Sequence, residues 1–281
     1  MTIAVITARG GSTRTPNKNG RLFCGVPLLA WSIIQAKNSK EIDEVFLTTD
    51  SERYAEIGEK YGAKIIMRPV LDNGITASVV FKHAINVIEN EVKLKFDDIV
   101  TLLPTSPLKL PGQMDKMIQE FHKKGYDTMT TAAPIKETFV FKNKKGSYWD
   151  RFKEHSLGNS YQATTVVSDK FWKYSRLCGG WGITTRDKYI ETAEAQPPTD
   201  LEIDLAASKT PDKKTIWNFF PIGDWQCFEI DYPEDFILCE ALMESFILKG
   251  KGPEVYGPNI PKFFVEKAIA SKYSGNSAQQ G

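Results

Sequence analysis

Thr7-Ala8-Arg9-Gly10-Gly11-Ser12-Thr13-Arg14-Thr15-Pro16-Asn17-Lys18-Asn19 follows an apolar run, residues 3–6, that reads as a buried first strand. A Gly-Gly turn directly after such a strand lets backbone N–H groups face outward and approach a ligand closely. Arg9, Arg14 and Lys18 surround that turn with positive charge. The loop suits an anion of high charge density, above all a nucleoside triphosphate. At a separation of about 4 Å and an effective dielectric near ~20, each cation–phosphate pair contributes ~4 kcal/mol before desolvation. It is not a Walker A loop, because Gly11 is followed by Ser12-Thr13-Arg14 and not by Gly-Lys-Ser/Thr; nor is it a G-x-G-x-x-G fingerprint. A basic surface turn without a ligand remains the alternative at this point.

Outward from the loop, residues 1–133 alternate strand and helix signals. Residues 27–37 carry a helical apolar face with Pro27 in the first turn, and residues 45–49 read as a strand. Ser51 caps a helix that runs to Tyr61 and is ended by Gly62. Residues 64–67 form a short strand, 76–91 an amphipathic helix and 98–103 a buried strand. Residues 113–124 form a helix stopped by Gly125, and 128–133 another strand. This order predicts an α/β fold, a three-layer, mostly parallel twisted sheet covered on both faces. Residues 134–178 break the pattern: they are rich in Lys, Tyr, Trp and Phe and read as an inserted lobe, suited to a subunit interface or a covering flap. Strands at 179–184 and 215–222 and a strong helix at 233–248, capped near Asp231, return to the main domain of residues 1–133 and 179–249. A tail, 250–281, ends in eight residues that read as disordered.

Bulk properties exclude several classes. Among 281 residues, 41% are hydrophobic and 25% charged, and the net charge is +1, so no global field favours nucleic acid or a membrane surface. No secretion signal and no apolar run of ~20 residues is present. Cys24, Cys178, Cys227 and Cys239 lack C-x-x-C spacing, which argues against a zinc site and against disulfides, and for a cytoplasmic location. His83, His122 and His155 form no metal-binding cluster in the sequence.

Four stretches carry a family resemblance. Arg9-Gly10-Gly11-Ser12 followed by Pro16-Asn17-Lys18-Asn19 resembles the N-terminal signature of the CMP-sialic acid (acylneuraminate) and CMP-Kdo synthetases. These are cytidylyltransferases of Rossmann-like fold that activate acidic nine- or eight-carbon sugars with CTP. Thr13 departs from the Lys often found there. Thr48-Thr49-Asp50-Ser51 is similar to a family motif and also reads as a helix N-cap. Arg68-Pro69 with Thr76-Ala77-Ser78 resembles the stretch that contacts the cytosine base. Backbone near Ala77 would read the Watson–Crick edge and Arg68 the O2 carbonyl. Leu102-Leu103-Pro104-Thr105-Ser106-Pro107-Leu108-Lys109 resembles Leu-Gln-Pro-Thr-Ser-Pro-Leu-Arg, with Leu103 in place of the Gln that would help hold the sugar.

Late in the chain, Glu229-Ile230-Asp231-Tyr232-Pro233-Glu234-Asp235-Phe236 resembles the family's Asp-x-Asp-(Thr/Ser/Tyr)-x-Glu-Asp-Phe. On a strand, residues i and i+2 share a face, so Glu229 and Asp231 converge and suit Mg²⁺ beside a triphosphate. Glu202-x-Asp204 has the same spacing but lacks the Glu-Asp-Phe that follows. In the lobe the resemblance is weak, and Gly179-Gly180 stands near the family's Asn-Gly with the Asn lost.

The resemblance implies a CTP-dependent enzyme that transfers CMP to an acidic 2-keto sugar, a sialic acid or related nonulosonate, with release of pyrophosphate. It places the triphosphate on Ala8, Arg9, Gly10, Gly11, Ser12, Arg14, Lys18 and Asn19, with Lys18 and Arg9 stabilising charge. Arg68, Ala77 and Ser78 would meet the base, Thr105 and Ser106 the sugar, and Glu229 and Asp231 the Mg²⁺. The lobe 134–178 would make a homodimer. Another acceptor, such as Kdo or a phosphonate, and a non-catalytic nucleotide-binding homologue are the competing readings.

Overall fold

The computed structural model describes residues 1–70, 77–134, 175–194 and 217–261. A seven-stranded sheet runs through the centre in the order β5-β4-β1-β6-β8-β7-β9. Its strands are β1 (Thr2–Ala8), β4 (Glu44–Thr49), β5 (Lys64–Met67), β6 (Asp98–Leu102), β7 (Thr128–Pro134), β8 (Ser175–Thr185) and β9 (Trp217–Pro221). The strands β1, β4, β5 and β6 pair in parallel, as do β7 and β9. Only β8 runs antiparallel to its neighbours in this sheet. The expected mostly parallel sheet is therefore observed. Two short strands, β2 (Leu22–Phe23) and β3 (Val26–Pro27), make a separate hairpin just after the first loop.

Period-two alternation along β1 divides the core. Ala4, Ile6 and Ala8 face one buried cluster, with α1 (Leu28–Lys37) and α4 (Gln113–Lys124). Ile3 and Val5 face the other, with Phe81, Ala84, Ile85 and Ile88 of α3 (Ala77–Asn90). The result is three layers. In α1 every residue from Leu28 to Ala36 is buried, which marks a core helix and not a half-exposed one. Trp31 at its centre donates Nε1–H to the Phe23 carbonyl at 2.7 Å, so the indole's polar atom is satisfied inside the core.

The expected elements appear with shifted ends. The helix α2 (Glu52–Lys60) begins after Ser51, whose side chain makes no cap bond, and α4 ends at Gly125 with φ +64°. The helix expected over 233–248 is observed as α6 (Pro233–Leu242) continued by a π turn (Met243–Leu248), and its N-cap, Tyr232, is next to Asp231. Asp235 supplies the cap, accepting the Asp231 and Tyr232 N–H groups at 2.8 and 2.7 Å. Two expectations are corrected. First, β8 starts at Ser175, so residues 175–178 belong to the sheet and not to the lobe. Second, Cys227 is disulfide-bonded, against the expectation of none. Spacing in sequence does not report proximity, and the turn that carries Cys227 lies against β8. A short helix, α5 (Arg186–Glu194), has a weak apolar pattern, and its sequence signal is the Pro197-Pro198 pair just beyond its end.

The tail is folded where described. Asn38 and Asn259 clasp each other, with Asn259 N–H to Asn38 Oδ1 at 2.9 Å and Asn38 Nδ2 to the Asn259 carbonyl at 3.1 Å. The eight C-terminal residues and most of the lobe lie outside the described residues. Among the described residues no helix is long and apolar enough to cross a membrane.

Candidate active site

The chain leaves β1 toward β4 and β5 on one side, then returns to place β6 on the other side of β1. Ligands of open α/β sheets bind outside the carboxyl ends of the strands where the order reverses. Here that crevice lies beyond Ala8 and Leu102. The loop 9–20 follows β1, and the loop 103–110 follows β6.

The first loop is built on Asp50, at the carboxyl end of β4. One carboxylate oxygen accepts the Gly10 N–H at 2.7 Å, and the other accepts from Arg68 Nη1 at 3.2 Å. Both side chains are 2% exposed. A charge pair so deeply buried fixes geometry more than it adds stability, because desolvation offsets its attraction. Gly10 has little room beyond this: a Cβ there would stand 3.1 Å from Ser51 Cβ. The expectation that the glycine amides face outward is thus corrected at Gly10, whose N–H is bound to Asp50. Ser12 N–H also turns inward, to the Gly10 carbonyl at 3.1 Å. Asn17 takes the left-handed conformation, φ 55°, and starts the short 3-10 turn Lys18–Gly20. Asn19 is buried and donates to the Arg9 carbonyl at 3.3 Å, holding the two limbs of the loop together.

The late carboxylates meet this loop by different routes. Lys18 Nζ donates to the Ile230 carbonyl at 2.8 Å and to Asp231 Oδ1 at 2.9 Å. Arg14 Nη1 lies 3.3 Å from Asp231 Oδ2, and Thr15 Oγ1 donates to the Asp231 carbonyl at 2.9 Å. Glu229 accepts instead from Ser106 Oγ at 3.2 Å. The expectation of a strand here is corrected: residues 228–231 form no ladder, their one backbone–backbone bond being Ile230 N–H to the Thr105 carbonyl at 2.8 Å, with side chains of Lys18, Thr15 and Asp235 holding other backbone groups of Ile230 and Asp231. Ile230 is fully buried while Glu229 and Asp231 remain accessible, so the alternation survives without the strand. Their hard carboxylate oxygens at a solvent edge are the donor chemistry that Mg²⁺ takes, with few protein ligands.

The remaining expected residues divide. Ala8 is the buried last residue of β1, opposite Thr49. Arg9, Gly11 and Ser12 line the loop, and Gly11 is exposed. Arg68 is committed to Asp50 and to the Pro69 carbonyl at 3.2 Å, and its Nε is buried without a hydrogen-bond partner. Ala77 and Ser78 begin α3, while Thr76, Glu202 and Asp204 lie outside the described residues. Leu103, where the family has Gln, packs with the cluster behind α3, and its N–H bonds the Gly180 carbonyl at 3.0 Å. Gly180 has φ +51°, and a Cβ there would run into Ser106 Oγ and Leu103, so glycine is needed beside the second loop.

Sequence reasoning missed two residues. Asp50 was legible as part of a stretch similar to a family motif and of a possible N-cap, with no role of its own, although its place directly after a parallel strand is the signal that finds it. Lys109 is 1% exposed and donates Nζ to the Ser106 carbonyl. Burial pushes its ammonium down to about 7, with the Glu229 carboxylate opposing that shift.

Comparison with known proteins agrees with this architecture. The sequence profile of a family described as Cytidylyltransferase matches residues 3–234. The pseudaminic acid cytidylyltransferase of Campylobacter jejuni is 30% identical over 186 residues, covering 64% of this chain and 79% of that protein. The CMP-N,N'-diacetyllegionaminic acid synthase of Legionella pneumophila is 33% identical over 135 residues, covering 47% of this chain and 58% of that protein. The fold is also that of a solved CMP:2-keto-3-deoxy-manno-octonic acid synthetase complexed with CTP, with TM-score 0.61 and 17% identity over 86% of this chain and 98% of that one. With a profile match over residues 3–234, most of its length, the chain belongs to the cytidylyltransferase family.

Proposed function

We infer that this protein transfers CMP from CTP to an acidic 2-keto sugar, a sialic acid or related nonulosonate, and releases pyrophosphate. The observation that carries this reading is the cluster of Arg9, Arg14 and Lys18 on a loop at the sheet's switch point, in a chain whose relatives include synthases of CMP-linked nonulosonates. The acceptor hydroxyl attacks the α-phosphorus, its oxygen forms the new P–O bond, and the bond to pyrophosphate breaks. Positioning and charge neutralisation are the chain's main tasks in such a transfer. Lys18 and Arg9 face the triphosphate, Arg14 assists, and the Asp50–Arg68 pair fixes the loop that carries them. Thr105 and Ser106 address the sugar. Glu229 and Asp231 would hold Mg²⁺, which when bound neutralises phosphate charge and acidifies a hydroxyl.

Calorimetric titration in the presence of Mg²⁺ is expected to show CTP binding well above ATP and GTP. Equal binding of all nucleotides would remove the cytidine assignment. The inserted stretch between β7 and β8, residues 135–174, is the proposed homodimer contact, on its aromatic content and the resemblance, and a monomer mass by light scattering at micromolar concentration would contradict it. The proposed compartment is the cytoplasm, where CTP is available; recovery of the protein in a secreted fraction would oppose that.

A further inference from the structure

The loop 103–110 after β6 is irregular and mostly buried, and two of its residues, Pro104 and Pro107, have no N–H. Buried carbonyls in such a segment need partners that no strand ladder supplies. Five consecutive carbonyls find them, each from a different group. Thr105 accepts from Ile230 N–H at 2.8 Å, and Ser106 from Lys109 Nζ. Pro107 accepts from Gln35 Nε2 of α1 at 2.7 Å, and Leu108 from Gln226 Nε2 at 2.8 Å. Lys109 accepts from the Tyr256 hydroxyl at 2.5 Å.

Tyr256 is the unexpected member. It lies beyond residue 234, where the family match ends. Its ring packs edge-on against Trp31, with centroids 6.2 Å apart. Its hydroxyl also accepts from Gln35 Nε2 at 3.0 Å, so one amide ties it to the Pro107 carbonyl. The preceding turn, Pro253–Val255, and the Asn38–Asn259 clasp hold the segment against α1.

We propose that Tyr256 and Lys109 are positioning residues of the active site: the C-terminal segment 253–260 fastens the loop that presents Thr105 and Ser106. Assigning that loop to the sugar rests on the reading given under Proposed function. Tyr256 touches no reacting atom on this account. It fixes the far end of a loop whose near end faces the acceptor, so its loss should fall on the sugar side of the reaction and spare the triphosphate loop. Lys109 works the same way, because its bond to the Ser106 carbonyl is one that either protonation state of the amine can donate.

The test is Tyr256→Phe in the full chain, which removes only the hydroxyl and keeps the ring on Trp31. Two readouts are needed: amide hydrogen exchange of the peptides covering 103–111 and 8–19, and steady-state KM for CTP and for an acidic nonulosonate. Expected are about tenfold faster exchange at 103–111 with none at 8–19, and an acceptor KM raised about tenfold with the CTP KM within about twofold, the size that loss of one buried hydrogen bond produces. Lys109→Met should give the same split. Unchanged exchange at 103–111, or equal increases in both KM values, would overturn the proposal. Wild-type protein that turns over no nonulosonate would refute the reading of the reaction instead, and the exchange comparison would still decide whether Tyr256 fastens the loop.

Discussion

Lys18→Met is expected to lower kcat/KM for pyrophosphate release by about a thousandfold, roughly 4 kcal/mol of lost transition-state stabilisation. The side chain is only 13% exposed, against 60% for Arg14, so it is the less hydrated of the two cations paired with Asp231. A charge in such a place acts strongly on phosphate oxygens, because little water competes with it. Met has similar length and volume, so the loop keeps its packing while the two bonds to residues 230 and 231 are lost. The cost to folding should be small, about 1 kcal/mol, since Asp231 is half-exposed and keeps Arg14. The measurement is steady-state turnover with a thermal melt as control. Turnover within about tenfold of wild type in a folded variant would show that Lys18 is a structural tie and not the main phosphate ligand.

Asp231→Asn separates two roles that this carboxylate combines. With no nucleotide present it neutralises Lys18 and Arg14, which a triphosphate would otherwise engage. It is also one of the two carboxylates assigned to Mg²⁺. Removing its charge frees the cations, so CTP binding without metal should tighten by a few-fold. Removing a hard anionic ligand should at the same time lower turnover with Mg²⁺ by on the order of a hundredfold or more. Asn is near-isosteric, and the backbone contacts at 231, from Thr15 Oγ1 and to Asp235, remain. Calorimetry in a chelator and turnover across a Mg²⁺ series read the two effects apart. Weaker metal-free binding would mean that Asp231 orients the cations productively, and normal turnover would place the metal elsewhere.

Much of this site is written in residue order, because a parallel α/β sheet gathers its strand ends. The loop after β1, Asp50 after β4, Arg68 after β5 and Thr105 after β6 are far apart in sequence, yet strand periodicity and the switch-point rule bring them to one edge. Helix limits were legible where Gly or Pro marked them, as at Gly62, Gly125 and Pro233. Other features depend on tertiary contact alone. No pattern in residues 229–231 distinguishes a strand from an extended segment held by one backbone bond to Thr105 and by side chains of Lys18, Thr15 and Asp235. Lys109 enters the sequence reading only as the last residue of the Leu102–Lys109 motif, and only the fold shows it buried beneath Trp181, its Nζ 6.0 Å from the ring centroid. Tyr256 sits in a stretch rich in Gly and Pro that resembles a loose tail, and its partner carbonyl is 147 residues away.

The most direct test of the account is a pyrophosphate-release assay on wild-type protein, with each of the four nucleoside triphosphates against a panel of acidic 2-keto sugars. The panel should include neuraminic, legionaminic and pseudaminic acids and Kdo. The account predicts release with CTP and at least one nonulosonate, dependence on Mg²⁺, and a CMP-linked sugar as the second product. Release that is equal with all four nucleotides, or that occurs only with Kdo or a phosphonate, would contradict the assignment of the donor or of the acceptor respectively. No release with any pair, from protein that binds CTP, would contradict the claim that this chain carries out the transfer.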